Sequence, residues 1–328
     1  MERNKPTCTS TLLVQHIGIP GTHGRSSSRL RDEDFQSLLQ SAEQNKISLL
    51  FLQAVNCNRN IQPILSHYEE RYKDTLNLIT YAADLLNRTK VPYALFKTLK
   101  PFPYVPSDID ILLRSDESLQ AVAGTLKNHG CVPLKKDNYG LTMFSPEHKM
   151  NIDLTTQIAV SGLVYANKQL LFDHLCEVQV NDVTVQKPEP KAELLVASAH
   201  SVFKEQTYTL SDYYTFVLST QHWKEATKLA ENFFLEYILD TTLRITKRVT
   251  ETSFGSMKTS TKRSGSEGTS VKDFELPKKY ALSSLMVAFL KKIIADPVSK
   301  QSLPVTARSI YEPAFYKKIV EHATRKTY

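Results

Sequence analysis

Cysteine is scarce and scattered, with only Cys8, Cys57, Cys131 and Cys176 in 328 residues and no CxxC pair. That excludes a thiolate metal knuckle and a secreted disulfide framework, and it points to a reducing, intracellular compartment. No run approaches the roughly 18 apolar residues that a membrane span needs, and the N-terminal MERNKPTCTSTLLVQHIGIPG has too short an apolar stretch for a secretory signal. The expectation is a cytoplasmic chain with no membrane partner. Internal repeats are also absent. With 41% hydrophobic and 23% charged residues, collagen-like and wholly disordered classes are excluded as well. A chain of this length has room for two or three packed units without covalent staples.

The formal net charge of +7 is uneven. From Asp240 onward there are 17 Lys and Arg against 8 Asp and Glu, a surplus of nine that leaves residues 1–239 at −2. A basic tail of this kind can meet the phosphates of an RNA, with salt-dependent affinity, or it can be a solvated face. Oligomeric state is left open by the sequence.

Texture divides the chain. Residues 1–29 mix Thr, Ser, Gly and Pro without periodicity and read as a disordered leader. Over 30–88 apolar residues recur at helical spacing (Phe35, Leu38, Leu39; Leu49, Leu50, Leu52; Leu76, Ile79, Ala83, Leu86), which predicts about three helices. Residues 89–187 carry short β-rich runs, YALF, DIDILL, CVPL, LTMF and MNIDL, with one helix over SDESLQAVAGTLKN closed by Gly130. EVQV and VTVQ follow, joined by an Asn181-Asp182 hairpin turn. The fold class is therefore mixed α/β (α+β), a small mixed sheet flanked by helical regions. A helical region over 188–253, a flexible linker over 254–277 and a basic C-terminal helical segment over 278–328 complete the organisation.

The chemistry concentrates in Ser107-Asp108-Ile109-Asp110-Ile111-Leu112-Leu113. Strand alternation puts Asp108 and Asp110 on one face and Ile109, Ile111 and Leu113 on the other. Two carboxylates about 6.6 Å apart along a strand repel by roughly 2–3 kcal/mol at an effective dielectric near 20. Something must offset that, and a hard divalent cation is the usual device. The segment Met150-Asn151-Ile152-Asp153-Leu154 alternates in the same way and supplies a third acid, Asp153. The competing reading is that these acids are solvated, or neutralised by Lys97, Lys100 or Arg114. Asp is disfavoured in strands, and three of them in core-forming strands favour metal coordination.

On YALFKTLKPF, SDIDILL, NIDL and the later PEPKAELLVASAH and LSDYY, the stretch from about Tyr93 to Leu218 resembles the DNA polymerase beta-like nucleotidyltransferase superfamily, in particular its minimal members with helical flanks. The resemblance implies transfer of a nucleoside monophosphate from an NTP to an acceptor hydroxyl, with Mg²⁺ or Mn²⁺ as cofactor and a nucleotide as partner. It implies that Asp108, Asp110 and Asp153 are the metal-binding and catalytic residues. Beside them, Lys97 could supply a cation and Thr98 a hydroxyl to the nucleotide phosphates, and Ser107 could hydrogen-bond a phosphate, support the acids or simply start its strand. One departure stands out. Where the family has a glycine turn after its first strand, this chain has Phe96-Lys97-Thr98-Leu99. The intact acids favour an enzyme, and the altered turn favours a catalytically degenerate binding or regulatory module. His200 and Lys204 share a helix face at i, i+4 and could reach the nucleotide, or simply pack.

Overall fold

A computed structural model describes residues 8–20, 30–55, 61–255 and 275–310. The first described element is α1 (Thr9–Ile17), inside the 1–29 stretch that the sequence reading expected to be a disordered leader; residues 1–7 and 21–29 of that stretch lie outside the described residues. Leu13, Val14 and Ile17 of this helix are buried, and one apolar stripe on a nine-residue helix is enough to dock it. Cys8 Sγ, Ser10 and the Thr9 amide converge on the Glu275 carboxylate. The three helices expected over 30–88 form as α2 (Asp32–Gln44), α3 (Ser48–Ala54) and α4 (Gln62–Thr89). The last starts with Pro63 in its first turn, where a missing N–H costs nothing.

The central sheet contains β1 (Tyr93–Phe96) and β2 (Asp108–Leu113), followed by α5 (Asp116–Asn128), β3 (Val132–Lys136), β4 (Gly140–Ser145) and β5 (Met150–Thr155). Ser115 caps α5 by accepting from the Ser118 amide, and Gly130 follows its end at φ 90°. The strand order is β1-β2-β5-β4-β3, with β2 and β5 parallel and the other neighbours antiparallel, so the sheet is mixed as expected. The β2–α5 crossover explains the single parallel pair. Ile109, Ile111 and Leu113 face α4 and α5 in one apolar cluster, while Leu112 joins Ala94 and Phe96 in a second cluster on the opposite face.

Beyond the sheet lie a hairpin of β6 (Ile158–Val160) and β7 (Leu163–Ala166), the single turn α6 (Gln169–Phe172), and a hairpin of β8 (Leu175–Val180) and β9 (Val183–Pro188). Asn181 takes φ 52° at the β8–β9 turn. Next come α7 (Pro190–Ala199), a π-helical turn over His200–Glu205, β10 (Thr207–Tyr208), α8 (Leu210–Val217), α9 (Trp223–Asn232) and α10 (Glu236–Phe254). α8 begins with a full capping box between Thr209 and Asp212.

After residues 256–274, outside the described residues, come β11 (Lys278–Lys279), α11 (Leu282–Ala295) and α12 (Pro297–Ile310). Most of the expected 254–277 linker is therefore not described, and Leu276 at its end is buried against α1–α3 and α8. α12 clasps β7: Ser299 Oγ donates to the Val164 carbonyl at 2.7 Å, and the Val164 amide donates to Ser302 Oγ at 3.0 Å. Lys292 and Asp296 form a buried ion pair at 2.8 Å, with Lys292 also donating to the Phe233 carbonyl. The expected C-terminal basic segment over 278–328 is thus built into the fold through residue 310, and its last 18 residues lie outside the described ones. No helix among the described residues is long and apolar enough to cross a membrane.

Candidate functional site

The sheet register sets the acids on one face. Asp110 on β2 is the direct parallel partner of Asp153 on β5, and Asp108 is two residues earlier on the same face, opposite Asn151. Strands about 4.8 Å apart therefore carry all three carboxylates on one face at the C-terminal side of β1. Asp108 and Asp110 line a cavity of about 350 Å³ closed by the β1–β2 loop, α7, the π-turn and the start of α8. Asp153 is not among its lining residues, and its Oδ1 accepts from Thr142 Oγ1 at 2.7 Å.

The turn after β1 is where the sequence departs from the glycine pattern, and its backbone explains why glycine suits such a turn. Lys97 has φ 63°, a left-handed conformation that costs a non-glycine residue roughly 1 kcal/mol. Its amide donates to the buried Glu193 carboxylate at 3.1 Å. Its ammonium donates to Asp110 Oδ1 at 2.9 Å, and the two side chains are only 12% and 17% exposed. Burial works against the Lys97 charge, but Asp110 beside it carries the group above the ordinary lysine range. Thr98 is buried with both hydrogen-bonding functions used: its hydroxyl donates to the Phe96 carbonyl at 3.2 Å and accepts from the Asp110 amide at 3.1 Å. Thr98 therefore locks the ends of β1 and β2 together. Ser107 lines the cavity and donates to Asp108 Oδ1 at 3.1 Å.

The remaining wall is rich in lysine. Lys46, Lys97, Lys100, Lys204 and Lys279 line the cavity, opposed by Asp108, Asp110, Glu193, Glu205 and Asp212. Lys204 is lowered chiefly by the charge of Lys97 and then by burial, and Lys100 is lowered by burial. Asp108 is pushed up by burial and by Asp110 and Asp153. His200 accepts from the Tyr165 hydroxyl at Nδ1, 3.2 Å, and faces Glu205 Oε1 from Nε2, 3.2 Å. These contacts suit a neutral imidazole with its proton on Nε2. Burial and Lys97 lower its pKa to about 3, and the same bond holds Glu205 well below the usual carboxylate range. π-Helical turns of this type frequently mark functional sites, because they re-aim side chains at the end of a helix.

Of the residues read from the sequence, Lys97, Thr98, Ser107, Asp108 and Asp110 share the cavity, along with His200 and Lys204. Lys46, Tyr104, Glu193, Glu205, Asp212 and Lys279 were not found by that reading. Glu193 had a visible signal, as a lone carboxylate in the otherwise apolar run AELLVASA (Ala192–Ala199), whereas Lys46 and Lys279 are brought in by tertiary packing alone.

The donor chemistry, three carboxylates on one sheet face, suits a hard divalent cation. Among the described residues, however, no three His, Cys, Asp or Glu side chains converge as a group that could hold a metal ion. Lys97 and Thr142 hold the carboxylates of Asp110 and Asp153 instead.

No protein-family profile matches the chain, and no curated protein matches it. Among solved structures, the chain is similar to the crystal structure of an antigenic nucleotidyltransferase-like protein from Paracoccidioides brasiliensis, at 11% identity and a TM-score of 0.34, covering 55% of this chain and 91% of that one.

Proposed function

We propose that the chain is a metal-dependent nucleotidyltransferase that transfers a nucleoside monophosphate from an NTP to an acceptor hydroxyl. The observation that carries this reading is the register of β2 and β5, which puts Asp108, Asp110 and Asp153 on one face beside a cavity lined by five lysines. With Asp110 released by Lys97 and Asp153 by Thr142, Asp108, Asp110 and Asp153 would hold Mg²⁺ or Mn²⁺, which when bound would neutralise the acids and polarise the phosphoryl oxygens. Lys46, Lys100, Lys204 and Lys279 supply the positive wall for a triphosphate. Ser107 hydrogen-bonds Asp108 and restrains its carboxylate, and Thr98 fixes the height of Asp110 relative to β1. Lys97, once its ammonium leaves Asp110, can reach a phosphate oxygen from the turn. The dispersed cysteines support a cytoplasmic location.

A second reading is favoured by one contact. The Lys97–Asp110 pair already supplies a cation to the central carboxylate, which suits a degenerate module that binds nucleotide without turning it over. A role for the basic C-terminal tail in holding RNA is compatible with either reading, and residues 311–328 lie outside the described ones.

Calorimetry with each NTP in Mg²⁺ or Mn²⁺ tests the shared part of both readings. Binding that needs the divalent ion and is lost in Asp108→Asn is expected. No binding of any NTP with either ion would remove the proposal.

A further inference from the structure

Helix α11 carries more apolar surface than the fold uses. Its inner row is packed: Leu285 and Ala288 are buried in the cluster built by α7, α9 and α10, and Phe289 meets Phe203 of the π-turn edge-on, with ring centres 4.9 Å apart. Its outer row is apolar as well. Leu282, Met286, Leu290 and Ile294 follow one another at i, i+4 spacing, a ridge along one side of the helix, and they are 72%, 58%, 55% and 68% exposed. Val287 beside them is also exposed. A helix that is apolar on both sides is ordinarily covered on both, and an exposed apolar row with a polar border marks a surface for a partner.

Charge selects the partner. From Leu276 to Ile310 the basic residues are Lys278, Lys279, Lys291, Lys292, Lys300 and Arg308, against the single acid Asp296. Lys292 and Asp296 neutralise each other inside the fold, so the charge left over is positive only, and Lys278, Lys291, Lys300 and Arg308 are exposed. Lys291 directly follows Leu290 in the ridge; its Nζ stands 4.5 Å from the centre of the Tyr237 ring, a contact that leaves its charge uncompensated. A nucleic acid would use these charges but not the aliphatic ridge, which has no ring on which to stack a base. A partner helix is taken into a groove, and α11 offers a ridge. A bilayer with anionic headgroups uses both features, because the aliphatic side chains enter the boundary between headgroups and acyl chains while the lysines meet the headgroup charge. The sequence reading set membranes aside for want of a spanning run, but a helix that lies in the interface plane needs none.

We propose that α11 is a surface anchor that seats the chain on an anionic lipid bilayer through Leu282, Met286, Leu290 and Ile294. The anchor is tied to the site: Tyr280, just before α11, shares a hydrogen bond with Ser201 of the π-turn at 3.1 Å, and Lys279 lines the cavity. Lipid binding of this kind is independent of the proposed transfer reaction.

The test is co-sedimentation of the full chain with vesicles of pure phosphatidylcholine, or of phosphatidylcholine with about three parts in ten phosphatidylserine, at low salt and at about 0.5 M salt. Leu290→Asn and Met286→Asn each change an exposed side chain and leave the packed row of α11 intact, whereas Leu290→Phe keeps the ridge apolar. Circular dichroism melting, expected to be unchanged in all three, verifies the fold. Wild type is expected to bind the mixed vesicles at least about tenfold more tightly than pure phosphatidylcholine, and to lose most of that difference at high salt. Each Asn variant is expected to weaken binding to the mixed vesicles at least about fivefold, and Leu290→Phe to retain it. No binding to the mixed vesicles, equal binding to pure phosphatidylcholine, or wild-type binding by both Asn variants would overturn the anchor. A dimer seen by light scattering that needs Leu290 and stays off the vesicles would overturn it too, and would give the ridge to a second copy of the chain.

Discussion

Replacing Lys97 by Met removes the ammonium that faces Asp110 while keeping an unbranched side chain of similar length. At 2.9 Å and an effective dielectric near 20, the attraction is about 6 kcal/mol before either ion's desolvation is subtracted. What mutation measures is different: removing one partner of a largely buried pair leaves the other charge uncompensated and costs about 3–5 kcal/mol. The cost falls at the upper part of that range if Asp110 is left beside Asp108 and its register partner Asp153 with no cation. In EDTA at pH 7.5, urea unfolding followed by circular dichroism is therefore expected to show Lys97→Met destabilised by about 3–5 kcal/mol. A divalent ion that takes over the role of the ammonium recovers about 2.7 kcal/mol at one hundred times its dissociation constant. Mn²⁺ should thus stabilise Lys97→Met more than wild type. A double-mutant cycle with Asp110→Asn isolates the pair, with a coupling of about 2–3 kcal/mol expected. A cost below about 1 kcal/mol, or a cost of the same size when Asp110 is already Asn, would refute the reasoning.

Asp108 is raised above the ordinary aspartate value, so the stability it contributes is present when it is protonated and is lost as pH rises through its folded value. Asp108→Asn should accordingly raise the melting temperature of the metal-free protein while abolishing NTP turnover, and a lower melting temperature would contradict the burial argument. His200 is held near 3 against an ordinary 6.5, so its contribution is present above 6.5 and is lost as pH falls from there toward 3, by at most about 1.4 kcal/mol per pH unit. The raised acids Asp108, Glu193 and Asp212 act in the opposite sense, so the check is a comparison, in which His200→Gln should lose less stability than wild type between pH 7 and pH 4. Lys292→Ala should cost about 3–5 kcal/mol in urea unfolding, because Asp296 would be left charged and buried; a loss under about 1 kcal/mol would show that α11 is not anchored by this pair.

Period-two alternation was legible for β2 and β5, and because side chains alternate strictly it also fixed the faces: Ile109, Ile111 and Leu113 are buried as read, with Asp108 and Asp110 opposite. Turn chemistry was legible at Gly130 and Asn181 for the same local reason. The short hairpin β6–β7 was not, because three- and four-residue strands carry too few alternations to stand out. Helix α1 was hidden in a Thr- and Ser-rich stretch, since its stability comes from docking Leu13, Val14 and Ile17 rather than from propensity. At the site, the acids were readable from local pattern, and Lys97 was read both as a phosphate ligand and as a neutraliser of the acids. The Lys97–Asp110 contact bears on the second of these roles. The lysines at 46 and 279 were beyond reach, because they arrive from opposite ends of the chain through packing that no local pattern encodes.

The central claim is that the group transferred is the nucleoside monophosphate. Two parallel incubations with Mg²⁺ or Mn²⁺ and total cellular RNA or protein as acceptor, one with α-labelled and one with γ-labelled NTP, test it directly. The account predicts that the α label enters the acceptor and the γ label leaves in pyrophosphate, with both signals lost in Asp110→Asn. Incorporation of the γ label, or incorporation of the α label undiminished in Asp110→Asn, would contradict it.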